Sequence, residues 1–318
     1  MSPDAANQLL EQDAGDGKTT SRSGQEMPNR RAVAIALAVM ALLIWSTLAV
    51  SVVSLSDLSP LLTTGVGLAG GGLICLPWFS WKTVKLRPVL VGTAAMLGYH
   101  ALYFLSLKTA DPVAANLLHY LWPLFIILMS PLMLRDHSLK GRHLVAGILG
   151  FAGAAICLGA VPSVSTSAWM GFALALLSAA IWAYYSVWAR RFPEVPTATV
   201  SLYCLVAGVV SLAAYFVLNA GTSGASQGLG GMLSSPTLKQ WLTLGYLSLG
   251  PLGGAFYLWD YAMKKGNPQE IAVMAYAVPI ASTFFVSLFF GRGVDAATIA
   301  GAVLVTLAVA VGNRARLR

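Results

Sequence analysis

The sequence predicts an all-α membrane protein, ten transmembrane helices built as two inverted five-helix repeats. Three observations carry that reading. Only 10% of the 318 residues are Asp, Glu, Lys or Arg, against about 25% in a soluble domain. The chain is 57% hydrophobic, with a mean hydropathy of +0.72, too apolar to clothe a water-facing surface. Apolar segments of bilayer length recur along it, and a proline pattern repeats at a constant offset.

The segments follow in order. They run Ala32–Val53, Ser59–Trp81, Pro88–Leu107, Pro112–Leu134, Leu144–Ala160, Ala168–Ala189, Thr197–Asn219, Gln240–Met263, Ile271–Phe290 and Ala296–Asn313. Each is near the roughly 20 apolar residues a membrane helix needs. Leu144 to Ala189 holds no charge, so the break within it rests on the turn-type cluster Pro162–Ser167. Residues 1–31 are polar and lack an apolar core, which predicts a disordered tail with no cleaved signal ahead of Ala32. The predicted domains are then 1–31, a first repeat 32–160, a second repeat 168–313 and a basic tail 314–318. Cys75, Cys157 and Cys204 all fall inside predicted helices and read as packing residues.

The charges orient the chain. With the amino terminus inside, only Lys108, Lys239 and Arg292 of the 20 lysines and arginines fall outside. The other 17 are cytoplasmic, which predicts both termini inside. The net charge of +8 is thus spread over many short segments. Nucleic-acid binding needs one clustered basic face, and is excluded on that ground.

The repeat is visible in two blocks. Leu102–Lys108, Asp111-Pro112 and Trp122-Pro123 correspond to Leu258–Lys264, Asn267-Pro268 and Val278-Pro279 at an offset of 156. Ile44-Trp45 likewise matches Ile181-Trp182. Five spans per half is odd, so the second half enters from the opposite side. Inverted repeats of this kind hold a substrate near the midplane between the halves. Pro123 and Pro279 lie inside helices, kink them, and are the candidate hinges. The cluster Gly65, Gly67, Gly70, Gly71 and Gly72 predicts close backbone packing.

Ionisable groups inside a membrane are costly and so are functional suspects. Asp260 is the one acid within a predicted span, and it lies near the inner end, where reaching the interface beside Lys264 and Lys265 accounts for it. His100 and His119 are deep. His100 reads as lining a substrate site with Tyr99 and Tyr103 on a shared helix face; His119 reads first as a helix-packing residue, with Trp122 three residues on. Trp45, Trp182, Tyr185 and Trp259 complete a set of deep aromatics suited to an apolar ring, and able to attract an ammonium group. Trp78, Trp81, Trp169, Trp188 and Trp241 fall at span ends, as an aromatic belt does. No nucleophile elbow, zinc motif or phosphate loop is present in the sequence, so no enzyme, cofactor or metal site is expected.

Ile44-Trp45, Ile181-Trp182 and the two five-helix halves resemble the drug/metabolite transporter superfamily in its EamA-type branch, over residues 32–313. Gly98-Tyr99-His100-Ala101-Leu102-Tyr103-Phe104, with Ala114-Ala115-Asn116 and His119-Tyr120-Leu121-Trp122-Pro123, resembles YddG-type aromatic amino acid exporters. That resemblance implies export of aromatic and other neutral amino acids across a bacterial inner membrane. The first helix lacks the embedded Glu of the small multidrug branch, which argues against proton-coupled multidrug antiport of that type; with no midplane carboxylate in the spans, facilitated diffusion is the expectation. The competing reading is a proton-coupled exporter of another small metabolite on the same fold. A polyanionic substrate would want Lys or Arg deep in a span, and an intramembrane enzyme or a scaffold is opposed by the missing motifs and the short loops.

Overall fold

The computed structural model describes residues 30–80, 82, 85–110, 112–157, 169–219, 236–291 and 296–313. Most of the expected tail, the Pro162–Ser167 turn, Trp81, Arg292 and the 314–318 tail lie outside the described residues. Helix is the dominant element and there is no strand among the described residues. The first helix, α1, begins at residue 30, two residues before the expected start at Ala32. It runs over 30–46 and, past a turn at Thr47, over Leu48–Ser54.

The remaining helices are α2 (Pro60–Ile74), α3 (Leu86–Thr109), α4 (Pro112–His119 and Trp122–Met133) and α5 (Gly141–Cys157). After them come α6 (Trp169–Arg190), α7 (Val200–Asn219) and α8 (Leu238–Leu249 and Ala255–Lys265, joined by a π turn at Gly250–Gly254). Last are α9 (Pro268–Ala275 and Ala277–Phe290) and α10 (Ala296–Asn313). Among the described residues six stretches are long and apolar enough to cross a bilayer: Arg30–Ser51, Leu86–Thr109, Ala114–Met133, Trp169–Arg190, Thr197–Asn219 and Pro268–Phe290. Pro60–Ile74, Gly141–Ile156 and Ala296–Gly312 are apolar but shorter. Leu132 is 84% exposed and Phe289 67%; side chains of that kind face outward where lipid, not water, is the solvent.

Both predicted kinks are breaks, and both have the same cause. Proline has no N–H, so Pro123 and Pro279 leave the carbonyls of His119 and Ala275 without their helical donors. The helix gives way at Tyr120 and Leu121 in α4 and at Tyr276 in α9, and each proline then stands in the first turn of the new segment, where it is tolerated. A further break went unforeseen. Pro251, among glycines, opens the π turn of α8, whereas α3 is unbroken.

The glycines of α2 form a seam with α7 and α8. A Cβ on Gly71 would lie 2.5 Å from the Leu252 carbonyl oxygen and 2.6 Å from Gly253 Cα; one on Gly208 of α7 would lie 2.3 Å from the Ala69 nitrogen. These neighbours are backbone, so the helices themselves would have to part. Gly245 is a built-in control, because a Cβ there meets nothing within 4 Å. Gly208→Ala is expected to destabilise by about 1–3 kcal/mol through overpacking. Gly245→Ala is expected to stabilise by up to about 1 kcal/mol through helix propensity. Thermal unfolding in detergent checks both, and equal shifts would contradict the seam. Elsewhere α5 packs along α10, α3 along α6, and the second segment of α4 against the first segment of α9.

Candidate substrate site

The deep aromatics converge where α1, α3, α4, α6 and α8 meet. The Trp182 ring lies 5.7 Å from Trp45, 5.3 Å from Tyr99, 5.6 Å from Phe256 and 6.3 Å from Trp259. Trp45 is 5.3 Å from Trp259, and Trp259 is 5.5 Å from Trp122 with the planes at 82°. Such offset and edge-on pairs follow the ring quadrupoles and add about 0.5–1.5 kcal/mol each beyond burial. Toward one end, Tyr103 sits 4.4 Å from His119 and Tyr99 sits 5.4 Å from it. Toward the other, Tyr185 joins Trp182 at 5.7 Å to Tyr203 at 6.2 Å.

All nine aromatic and imidazole residues singled out in the sequence therefore belong to one cluster. His119 is part of it as much as His100 is. Phe256 and Tyr203 are additions. The repeat contained the signal for Phe256, since the offset of 156 pairs it with His100. The two rings meet at 6.1 Å, as Trp45 meets its counterpart Trp182. Tyr203 had no such signal.

Hydrogen bonds fix the polar edges. His100 Nδ1 lies 2.8 Å from the Met96 carbonyl; a carbonyl only accepts, so Nδ1 carries the proton. Ser178 Oγ donates to the Ala175 carbonyl at 2.7 Å. Its one proton is thereby used, and His119 Nδ1, 3.0 Å away, donates to it. In the neutral form of either ring Nε2 is then the acceptor. Tyr103 donates to Asn116 Oδ1 at 2.8 Å, and Trp259 Nε1 donates to Ser186 Oγ at 3.0 Å. Trp45 Nε1 donates to the Pro251 carbonyl at 2.9 Å, so the π turn carries a tie between α1 and α8.

The end of the bundle carrying Arg31, Lys85 and Arg190 is latched. Arg190 Nη1 donates to the Lys264 carbonyl at 3.0 Å and the Gly266 carbonyl at 2.6 Å, and Nη2 lies 3.8 Å from Asp136. Arg31 pairs with Glu270, and Lys85 with Glu194 at 3.2 Å. Every ion pair among the described residues lies at this end. Hydrogen bonding from His137, aided by Arg190, holds the Asp136 carboxyl below the usual carboxylate range. It therefore stays ionised at neutral pH and is lost to the latch only in acid.

Two expectations are corrected at this end. Asp260 does not reach the interface: it is 3% exposed and lies 2.7 Å from the Lys264 ammonium, itself 8% exposed. The α6–α7 connection folds over both, so neither side chain can snorkel. Trp188 does not stand in an aromatic belt but is buried against Phe192, 4.5 Å away. Trp78 and Trp169, by contrast, are well exposed at helix ends.

An apolar helical bundle with an aromatic, hydrogen-bonded centre defines a multi-pass membrane protein. The chain belongs to the EamA-like transporter family, whose sequence pattern matches twice, over 32–159 and 169–314. The aromatic amino acid exporter YddG of Ancylobacter novellus is 32% identical over 295 residues, covering 90% of this chain and 96% of that protein. The uncharacterized transporter YyaM of Bacillus subtilis is 25% identical, covering 70% of each chain. A crystal structure of a protein 31% identical to this one superposes with a TM-score of 0.79, covering 89% of this chain and 97% of the other.

Proposed function

We propose that this chain is a bacterial inner-membrane carrier exporting aromatic and other neutral apolar amino acids by alternating access. It has ten transmembrane helices in two inverted halves, 32–160 and 168–313, with both termini cytoplasmic. The observation that carries this reading is the ring cluster where the halves meet. Residues related by the repeat touch there: His100 on Phe256 and Trp45 on Trp182. Two copies of one position can be in contact only close to the axis that exchanges them, and that axis is where a carrier of this design holds its substrate. An apolar ring bounded by Trp and Tyr faces gains burial, ring packing and attraction for an ammonium group. The named activity of the YddG relative points to the same substrates.

Tyr99, His100, Tyr103, Trp122, Trp182 and Trp259 line the site, with Trp45, Tyr185 and His119 beside them. Pro123 and Pro279 are the hinges about which half-helices of α4 and α9 rock. The ionic latch lies at the cytoplasmic end, so the conformation described is closed to the cytoplasm.

Transport is facilitated diffusion. Among the described residues the one buried carboxylate, Asp260, is already paired with Lys264. Purified protein in liposomes is expected to carry phenylalanine down its gradient at a rate indifferent to an imposed proton gradient. A rate that follows the proton gradient would favour the second reading, proton coupling, for which His100 and His119 in the cluster are the candidates.

A further inference from the structure

Asp260 and Lys264 are the only buried acid and the only buried lysine or arginine among the described residues. They stand one turn apart on the last segment of α8. Lys264 Nζ donates to Asp260 Oδ2 at 2.7 Å and to the Val195 carbonyl at 2.9 Å. Thr197 Oγ1 donates to the same Oδ2 at 2.7 Å. Packing alone does not account for the pair, because apolar side chains of similar volume commonly stabilise at least as well as a buried ion pair. The groups line a crevice of about 10 Å³ with Tyr185, Trp188, Phe192 and Tyr203, room for about one water molecule. Tyr185 continues from this crevice into the ring cluster through Trp182, and Trp259 is the residue next to Asp260. The pair therefore stands at the cytoplasmic end of the ring cluster.

An ammonium beside a carboxylate is also what a free amino acid carries on its α-carbon. We propose that Asp260 and Lys264 form an exchange site for the zwitterionic head of a neutral amino acid. The substrate ammonium takes the place of Lys264 on the Asp260 carboxylate. The substrate carboxylate takes the place of Asp260 on the Lys264 ammonium, and the substrate ring extends past Tyr185 toward Trp182 in the ring cluster. The inference rests on the amino acid reading above and adds the group that recognises the head. The site is electrically neutral before and after the exchange, so no proton moves and no net charge enters the membrane. The exchange also draws Lys264 from the Val195 carbonyl in the α6–α7 connection. Substrate binding and unlatching of the cytoplasmic end are thereby one event.

Competition against labelled tryptophan on the purified full-length protein tests this, with tryptophan, indole-3-propionate (no ammonium) and tryptamine (no carboxylate) as competitors. For wild type each analogue is expected to compete about 10-fold or more weakly than tryptophan, as loss of a charged hydrogen bond implies. Asp260→Asn is expected to close the gap to indole-3-propionate and keep the gap to tryptamine. Lys264→Met is expected to do the converse. The double variant Asp260→Asn with Lys264→Met leaves no lone buried charge and is the better folder; in it both gaps are expected to close. Equal competition by all three on wild type overturns the exchange site without any variant. Gaps that persist in the double variant overturn it while leaving the amino acid reading intact. A wild-type protein that binds no tryptophan overturns both.

Discussion

Trp182→Ala is expected to cut aromatic amino acid flux about 10-fold or more, which corresponds to about 1.4 kcal/mol. Trp182 meets five other rings, those of Trp45, Tyr99, Tyr185, Phe256 and Trp259. Among the described residues it alone joins the Tyr99 side of the cluster to the Tyr185 side. In the proposed path a substrate ring passes its face. Losing one or two ring contacts of about 0.5–1.5 kcal/mol each gives the expected reduction. The same substitution removes a buried side chain, which in soluble cores costs about 3–5 kcal/mol. Flux must therefore be normalised to monodisperse protein. Trp182→Phe separates the two effects, since it keeps a ring in place. It is expected to retain most of the flux that alanine loses. Trp122→Ala, at the far side of Trp259, is expected to lower flux as well. Flux unchanged by both alanine variants would remove the cluster from the transport path.

The second large effect is expected at the two prolines. Pro123→Ala with Pro279→Ala restores the N–H groups that the carbonyls of His119 and Ala275 lack. It lets α4 and α9 run through Tyr120 and Tyr276 as continuous helices. Proline inside a helix costs about 3 kcal/mol relative to alanine; part of that is already avoided because each proline begins a new segment. The double variant is expected to unfold at a higher temperature than wild type. Its turnover is expected to fall about 5-fold or more, because in the proposed mechanism straightened helices oppose the rocking of the half-helices. Higher thermal stability with full turnover would leave the breaks as structure without a hinge role.

Much of this fold can be read in the sequence because a bilayer imposes long apolar runs and offers no water to unpaired backbone groups. Both proline breaks were legible for an equally direct reason, the missing donor. The π turn of α8 was not. Gly250-Pro251-Leu252-Gly253-Gly254 shows that regular helix is disfavoured there, but not that the chain widens instead of ending. That outcome is set by packing. Gly253 lies against Gly71 of α2, and the Trp45 indole takes the Pro251 carbonyl.

The candidate site divides in the same manner. Its aromatic members were legible because large rings at midspan have few roles. Phe256 needed only the repeat offset applied to His100. Asp260 was misread as reaching the interface, because its distance from Lys264 along the helix is the same for a pair in water and a buried one. Burial is decided by Val195 and Thr197, which fold over the pair from a different connection. Trp188 was misread for the same reason. It ends a helix, but the connection after it turns back and covers it.

The central claim is that the ring cluster between the halves carries neutral apolar amino acids. Counterflow in liposomes tests it most directly, with unlabelled tryptophan inside, labelled tryptophan outside and no ion gradient. The account predicts rapid accumulation of label, suppressed by excess phenylalanine, tyrosine or methionine and unaffected by aspartate or lysine. Absence of counterflow, or suppression by the charged amino acids as strong as by phenylalanine, would contradict it.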